Sequence, residues 1–230
     1  MRKIRPGSTF VFIALLSVSV MLAVGTTKVL LGGLPFGDFR GVILVIAAVI
    51  FTYAYALAVY RLFLHVMPLG EGEIAEGSRE EFAVHVYFLF YLVLFNSITR
   101  SNLLPIPLMR LIYLALGARL GSNTYSAGTI LDPPLVRIGA NTIIGHEATL
   151  VGHVILGRHL YLASIKIGDN VTISGGTAVM PGVTIDDGAT VLVRSVVIQG
   201  THIGPGETWG GNPARLRRSS NVNVTGDAAA

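Results

Sequence analysis

The chain of 230 residues contains no cysteine, few charged residues and a single tryptophan. Without cysteine, it can form no disulfide, thiolate nucleophile or cysteine-based metal site. Charged residues make up only 13% of the chain and hydrophobic residues 52%, a balance that predicts membrane segments. The net charge of +4 is divided between the two ends of the chain, so we expect no nucleic-acid partner.

Two long apolar stretches, residues 10–31 and 42–60, are each long enough to cross about 30 Å of hydrocarbon. Arg2, Lys3 and Arg5 precede the first stretch and predict that the N-terminus lies inside. We therefore expect two transmembrane helices in residues 1–70. A cleaved signal peptide is the alternative for the first stretch, because it too begins with basic residues.

A polar linker, residues 71–81, leads to a second apolar region that is harder to interpret. Residues 82–98 are crowded with aromatic side chains, and residues 102–116 mix aliphatic residues with Pro105 and Pro107. We interpret residues 82–116 as an aromatic-rich helical hairpin that lies in the membrane interface or re-enters it. A genuine third span is the alternative, but it requires an outside N-terminus and contradicts the positive-inside count.

From Ile138 onward, aliphatic residues recur every six residues, with one step of eleven residues. Glycine often follows them, and small residues, Asn and Asp fill the remaining places. The repeating positions are Ile138, Ile144, Leu150, Leu156, Ile167, Ile173, Val179, Ile185, Val191, Val197, Ile203 and Trp209. Such a repeat predicts short stacked strands with one inward side chain each, which is a parallel β-helix. We expect this all-β domain over residues 117–218 and a disordered tail over residues 219–230.

These hexads resemble the left-handed parallel β-helix of the hexapeptide-repeat acyltransferases. Residues 206–215, Gly-Glu-Thr-Trp-Gly-Gly-Asn-Pro-Ala-Arg, match the Gly-x-Pro-Ala-Arg signature that follows the last coil. Gly152-His153-Val154 and the later residues 167–171 resemble a membrane-associated branch that includes the tail of ε-poly-lysine-type synthetases. The resemblance implies a homotrimer that binds acetyl-CoA or another acyl-CoA between neighbouring β-helices, without a metal.

Acyl transfer from a thioester requires a general base for the acceptor and a donor for the developing oxyanion. A neutral imidazole can act as the base near pH 7. His153 stands just before the eleven-residue step, the place that the base occupies in the resembling family. His146 is the rival base, with Glu147 as the carboxylate that orients it. We expect His159 to shape the acceptor site.

The resemblance places the acyl-CoA donor along the coils that follow these histidines. Exposed N–H groups of a glycine-bearing strand can face the thioester oxygen. Three arginines after the last coil are suited to the phosphates of the coenzyme. The alternatives are tight-turn geometry for the glycines and a solvated tail for the arginines. The candidate donor-binding residues are Ser174, Gly175, Gly176, Thr177, Ser195, Arg215, Arg217 and Arg218.

Two other functional classes remain open from the sequence. Some left-handed β-helices are γ-carbonic anhydrases, but the spacing of His146, His153 and His159 differs from their His-x4-His pair. A non-catalytic membrane scaffold is the other class. We expect instead an O-acyltransferase of the inner (cytoplasmic) membrane, multi-pass, with its β-helix in the cytoplasm. Its acceptor would be a membrane lipid, a lipid-linked glycan or a surface-glycan precursor, because membrane anchoring concentrates such acceptors.

Overall fold

The computed structural model describes residues 3–101 and 104–219, which belong to two compact units. The first unit contains the described residues up to Gly70 together with Ile74–Ile98. The second unit contains Glu71–Glu73 and the described residues from Thr99 onward. Part of the predicted linker therefore belongs to the second unit. Apart from Ser219, the predicted disordered tail lies outside the described residues.

The first unit is helical. Helix α1 spans Pro6–Leu31, and a 3₁₀ turn at Gly37–Phe39 leads into α2, Arg40–Val66. Helix α3, Arg79–Phe90, continues through a π-helical turn, Tyr91–Phe95, into α4, Asn96–Arg100. By length and composition, Pro6–Leu31, Gly37–Val66 and Arg79–Arg100 are all long and apolar enough to cross a membrane.

The third helical stretch begins before the helical hairpin expected over residues 82–116. A capping box starts it at Arg79, because the Glu81 N–H donates to Ser78 Oγ at 3.0 Å. The Glu81 carboxylate accepts from the Gly77 N–H at 2.8 Å. The helix thus gains a turn before the apolar run and reaches 22 residues, the length of a candidate span.

Packing in the first unit depends on small residues and on aromatic rings. Helix α1 buries Ser8, Ser19, Ala23 and Thr27, which allows close approach of neighbouring helices. Among the rings, Tyr60 lies 6.0 Å from Phe90 and 5.4 Å from Phe95 between centroids, and Phe12 lies 5.1 Å from Phe90. The aromatic residues of the third stretch therefore pack inside this unit.

The second unit is a parallel β-helix with three faces. Face 1 consists of β2 Arg119–Leu120, β5 Val136–Ile138, β10 Ile165–Ile167, β13 Thr184–Ile185 and β16 His202–Ile203. Face 2 consists of β3 Tyr125–Ser126, β6 Ile143–Ile144, β11 Thr172–Ile173, β14 Thr190–Val191 and β17 Thr208–Gly210, with β18 Arg215–Arg218 antiparallel at its end. Face 3 consists of β4 Thr129–Ile130, β7 Thr149–Leu150, β12 Ala178–Val179 and β15 Val196–Val197.

The six-residue register is confirmed at eleven of the twelve predicted positions. Ten of these aliphatic residues are buried in one core cluster, to which all three faces contribute, and Trp209 packs against it. Leu156 is the exception, because its side chain is 65% exposed. The chain leaves the coil soon after Leu150 and forms a hairpin, β8 His153–Leu156 and β9 His159–Leu162. Leu156 keeps the six-residue spacing by coincidence and lies on this hairpin.

Asn and Gly turn the coils, as the sequence predicts. At the corner between faces 1 and 2, Asn123, Asn141 and Asn170 have φ of 53°, 53° and 57°. Gly188 and Gly206 occupy the same corner in later coils, with φ of 70° and 67°. Asparagine and glycine tolerate this left-handed conformation, so each coil closes in six residues per face.

Helix α5, Ile106–Leu116, covers the first coil of the β-helix. The Tyr113 hydroxyl donates to the Gly128 carbonyl and accepts from the Ile130 N–H, at 3.3 and 3.2 Å. Burial raises the pKa of Tyr113. The helix thus closes the otherwise open end of the repeat, as we expect of a terminal cap.

Candidate active site

A histidine–aspartate pair lies at the corner between faces 3 and 1. His153 Nδ1 is 2.7 Å from Asp132 Oδ2, and the Gly152 N–H donates to the same oxygen at 2.8 Å. Asp132 is 1% exposed, whereas the His153 side chain is 26% exposed. A buried carboxylate at Nδ1 favours the tautomer whose Nε2 can accept a proton. This pair has the arrangement that a general base requires.

Asp132 was not among the residues that we predicted from the sequence. The register Ile130↔Leu150 brings it beside Gly152 and His153 on the next coil. A Cβ at Gly152 would lie 3.0 Å from the Asp132 Cβ, tighter than an ordinary contact, so glycine suits this close approach. The signal was present in the sequence as an Asp two residues after an inward aliphatic, directly before Pro133-Pro134.

The hairpin that begins at His153 is held by the linker, residues 71–73. Strand β1, Gly72–Ile74, pairs with β9 in the three-stranded sheet β1-β9-β8. The Ser164 N–H donates to Glu71 Oε2 at 3.0 Å, and the Ser164 hydroxyl donates to the other carboxylate oxygen. These hydrogen bonds hold the pKa of Glu71 below its usual value, helped by the positive charges of Lys166 and Arg137.

His159, expected to shape the acceptor site, lies on the same hairpin. Its Nδ1 is 2.5 Å from Glu73 Oε1, and both side chains are exposed. His159 therefore contributes a second contact between the hairpin and the linker.

His146 and Glu147 lie at a different corner, between faces 2 and 3. Their side chains are 71% and 76% exposed, and His146 Nε2 is 3.7 Å from Glu147 Oε1. That separation is too long for a hydrogen bond, so Glu147 does not orient the imidazole as Asp132 orients His153. His146 also lines a cleft of about 260 Å³ with Ile106 and Met109 of α5.

The predicted donor-binding residues share the corner with His146, but most of their polar groups are engaged. The Ser174 N–H donates to the Val191 carbonyl and the Gly176 N–H to the His146 carbonyl, both at 2.9 Å. Neither N–H is therefore available to an oxyanion in this structure. The Gly175 N–H is the remaining candidate for that role, and a Cβ at Gly175 would lie 2.9 Å from the His146 carbonyl oxygen.

Thr177 and Ser195 are buried at the same corner. Their hydroxyls donate to the Leu192 carbonyl at 3.1 and 2.7 Å, and Ser195 also accepts from the Gly211 N–H. In this geometry both side chains stabilise the turn, and their contact with a coenzyme stays a prediction.

The three predicted phosphate-binding arginines lie on β18, after the last coil. Arg215, Arg217 and Arg218 are exposed, and Arg217 Nε donates to the Gly210 carbonyl at 3.2 Å. The structure thus brings His146 and residues 174–176 together, while His153 and Asp132 lie at another corner of the same β-helix.

Comparison with family models gives no match. Among curated proteins, YvoF of Bacillus subtilis, named as an acetyltransferase, is 37% identical over 87 residues, 38% of this chain and 49% of YvoF. Galactoside O-acetyltransferase of Escherichia coli is 32% identical over 121 residues, 48% of this chain and 59% of that protein. Gamma carbonic anhydrase 1 of Arabidopsis thaliana is 33% identical over 101 residues, 42% of this chain and 37% of that protein.

A solved structure of a galactoside acetyltransferase in complex with coenzyme A matches 65% of this chain and 86% of its own, with a TM-score of 0.46 and 23% identity. The chain spans between about a third and three fifths of the length of the curated relatives above. The sequence relatives, the six-residue register and the three parallel faces agree with one another. The repeat domain of this chain is a parallel β-helix whose sequence is similar to that of curated acetyltransferases.

Proposed function

We propose that this chain is an acyl-CoA-dependent O-acyltransferase with His153 as its general base and Asp132 as the residue that positions it. The observation that carries the proposal is the 2.7 Å contact between His153 Nδ1 and the buried carboxylate of Asp132. Asp132 stabilises the imidazolium that forms when Nε2 takes a proton. Relatives named as acetyltransferases support acetyl-CoA as the donor.

In this mechanism, His153 Nε2 removes the proton of the acceptor hydroxyl while the hydroxyl oxygen bonds to the thioester carbon. The carbonyl oxygen becomes an oxyanion, for which the Gly175 N–H of a neighbouring copy is our candidate donor. The carbon–sulfur bond then breaks, and the imidazolium returns its proton to the departing CoA thiolate. The products are the acyl ester and CoA, and the base is regenerated.

The proposal includes a homotrimer, because the base and the oxyanion donor lie at different corners of a single copy. His153 lies at the corner between faces 3 and 1, whereas Gly175 lies at the corner between faces 2 and 3. In a trimer with three-fold symmetry, the His153 corner of each β-helix would face the Gly175 corner of the next copy. Arg215 and Arg217, with the other predicted donor residues, would then bind the coenzyme between copies.

We further propose that the helical unit anchors the enzyme in the inner membrane and that the acceptor is a lipid-linked glycan or a related surface-glycan precursor. Three apolar helices support membrane placement, although only two spans keep both ends inside. Reporters fused after residue 230 and inserted in the linker, residues 71–81, should both behave as cytoplasmic. Opposite locations would make the third helix a span and contradict a cytoplasmic β-helix.

A metal-dependent carbonic anhydrase is the second candidate, favoured by the sequence similarity to gamma carbonic anhydrase 1. Such an enzyme needs three ligands around one metal. Among the described residues no group of three or more His, Cys, Asp or Glu side chains is placed to hold a metal ion. Metal analysis of the purified oligomer, combined with a CO₂ hydration assay, separates this candidate from acyl transfer.

The direct test measures acyl transfer with the full chain in detergent micelles. Purified protein and acetyl-CoA are incubated with a lipid extract from cells that lack the gene, and released CoA thiol is followed. Mass spectrometry should then find a glycolipid heavier by one acetyl group, which is also present in wild-type cells. Binding of acetyl-CoA without transfer to any extracted lipid would contradict the proposed acceptor, and no binding would contradict the proposed enzyme class.

A further inference from the structure

Face 1 of the β-helix carries a ladder of positive charges on its outer surface. The parallel register pairs Arg119 with Arg137 and Arg137 with Lys166, and all three side chains are exposed. Strands in a sheet lie about 4.8 Å apart, so three cations are stacked over about 10 Å. We call Arg119, Arg137 and Lys166 the basic ladder.

The basic ladder has no ion-pair partner within the part of the chain that the structure describes. Like charges directly opposite each other on neighbouring strands are destabilising. The carboxylate of Glu71 is near enough to feel the charges of Lys166 and Arg137, but both of its oxygens accept hydrogen bonds from Ser164. An anion bound from outside would relieve this repulsion.

The ladder lines a groove of about 400 Å³, within the range of small-molecule sites. The backbone at Gly139 and Gly168 forms part of the wall. Two carboxylates line the groove as well, and each has its own donor. Asp186 Oδ2 is 2.8 Å from His202 Nε2, and Asp187 Oδ1 accepts from the Asp169 N–H at 2.8 Å.

We propose that the groove lined by the basic ladder binds a phosphate or diphosphate group of a substrate. Arginine presents N–H groups in a planar fork that matches phosphate oxygens, and lysine adds a point charge. Lys166 follows Ser164 by two residues, and Ser164 is held where the chain returns from the hairpin that starts with His153. From Lys166 the groove extends to Gly168 and Asp187, at the other end of the face-1 strands.

This inference rests on the proposed function, which supplies two sources for such a group. A lipid-linked glycan carries phosphate next to its lipid, and the donor CoA carries a diphosphate and a further phosphate. Because our proposal assigns the three arginines of β18 to the phosphates of CoA, we assign the basic ladder to the phosphate of the acceptor. Farnesyl diphosphate can represent a lipid diphosphate, and CoA represents the donor.

The test uses calorimetry on the full chain in detergent micelles, with inorganic diphosphate, farnesyl diphosphate and CoA as separate probes. In Arg137→Gln/Lys166→Gln the affinity for inorganic and farnesyl diphosphate should fall at least tenfold, with weaker dependence on salt. Arg137→Lys/Lys166→Arg preserves the charges and should restore most of the affinity. Thr172→Val, at an exposed strand position on face 2, should leave binding unchanged.

Weakened binding of farnesyl diphosphate assigns the phosphate group to the acceptor, and weakened binding of CoA alone assigns it to the donor. Unchanged affinity for all three probes in the double Gln variant overturns the proposal. A changed oligomeric mass with unchanged affinity also overturns it and makes face 1 a contact between copies. Binding is measured without turnover, so the two proposals can fail separately. If the protein binds diphosphate but transfers no acyl group, the binding site is supported and only the enzyme proposal is refuted.

Discussion

In the helical unit many large apolar side chains of α1 and α2 point outward, whereas in the β-helix the repeating aliphatic side chains point inward. Phe10 and Val29 of α1 are 73% and 81% exposed, while Ile144, Ile173 and Val197 are fully buried. Each coil of the β-helix buries its aliphatic residue against the next coil, so the repeat completes its own core. The helical unit leaves its apolar surface uncovered, which suits a lipid environment.

The two units also differ in how their polar groups are connected. In α1, Ser19 and Thr27 donate to carbonyls four residues earlier, at Leu15 and Ala23. In the β-helix, Asp132 contacts His153 across one full coil. In the helix, polar side chains form hydrogen bonds with nearby carbonyls of the same helix. In the β-helix, contacts between coils bring side chains of different chemistry together. The comparison therefore agrees with our proposal, in which the β-helix carries the chemistry and the helices anchor the protein.

The largest effect should come from His153→Ala. Removal of a general base lowers turnover by roughly two to four orders of magnitude. Release of CoA thiol from acetyl-CoA in the presence of acceptor measures the rate, and a thermal melt checks the fold. His146→Ala is the matched control and should stay within about threefold of the wild-type rate, since its side chain is exposed and Glu147 does not orient it. A full-rate His153→Ala enzyme beside an inactive His146→Ala enzyme would move the base to His146.

Asp132→Asn should have the next largest effect, because the amide no longer stabilises the imidazolium or selects the right tautomer. We expect kcat to fall about a hundredfold or more while KM for acetyl-CoA changes little. Asparagine can still accept from the Gly152 N–H, so the corner should keep its shape. If KM rises with unchanged kcat, Asp132 has a role in binding and does not position a base.

A pair of isoleucines tests the opposite orientation of the apolar residues. Ile173→Ala empties a fully buried position and should cost about 2–5 kcal/mol, whereas Ile46 on α2 is 54% exposed and Ile46→Ala should cost less than about 0.5 kcal/mol. Trp209, the only tryptophan, packs against the β-helix core, so its fluorescence reports on that unit during a melt. An equal loss in the free energy of unfolding in both variants would contradict the buried position of Ile173 and the exposed position of Ile46.

The sequence predicted the repeat well, because one aliphatic in six must point inward in every coil. It wrongly assigned Leu156 to the repeat, because this residue keeps the six-residue spacing after the chain has left the coil at Gly152. The third helix begins earlier than its apolar run, because the cap at Ser78 lengthens it. Patterns of hydrophobicity thus locate elements better than they locate their ends.

The candidate site was only partly predictable. His153 could be identified from its place before the irregular step, but its partner Asp132 required the register between the first two coils. The N–H groups of Ser174 and Gly176 were plausible oxyanion donors in sequence, yet both donate to neighbouring strands or corners in the structure. Hydrogen bonds between coils engage most of these backbone N–H groups, and the spacing of residues in the sequence does not show which N–H group can bind an oxyanion.

The smallest expected effect concerns the link between the linker and the hairpin. The pKa of Glu71 is lowered by the hydrogen bonds from Ser164 and by nearby positive charges. Its contribution to stability is therefore fully present above the ordinary carboxyl pKa and is lost as the pH falls through the lower folded pKa. Because the carboxylate is mostly exposed, we expect less than about 1 kcal/mol.

Glu71→Gln should lower the melting temperature by about 1–3 °C at pH 7, measured by Trp209 fluorescence. The gap between wild type and variant should narrow as the pH falls through the lowered folded pKa of Glu71, where the wild-type carboxyl becomes protonated as well. Glu80→Gln, at the start of α3, removes a carboxylate that does not contact the hairpin and should leave the Trp209 transition unchanged. A gap that persists at low pH would show that Glu71 acts through shape alone. In that case the linker would hold the hairpin without any electrostatic contribution.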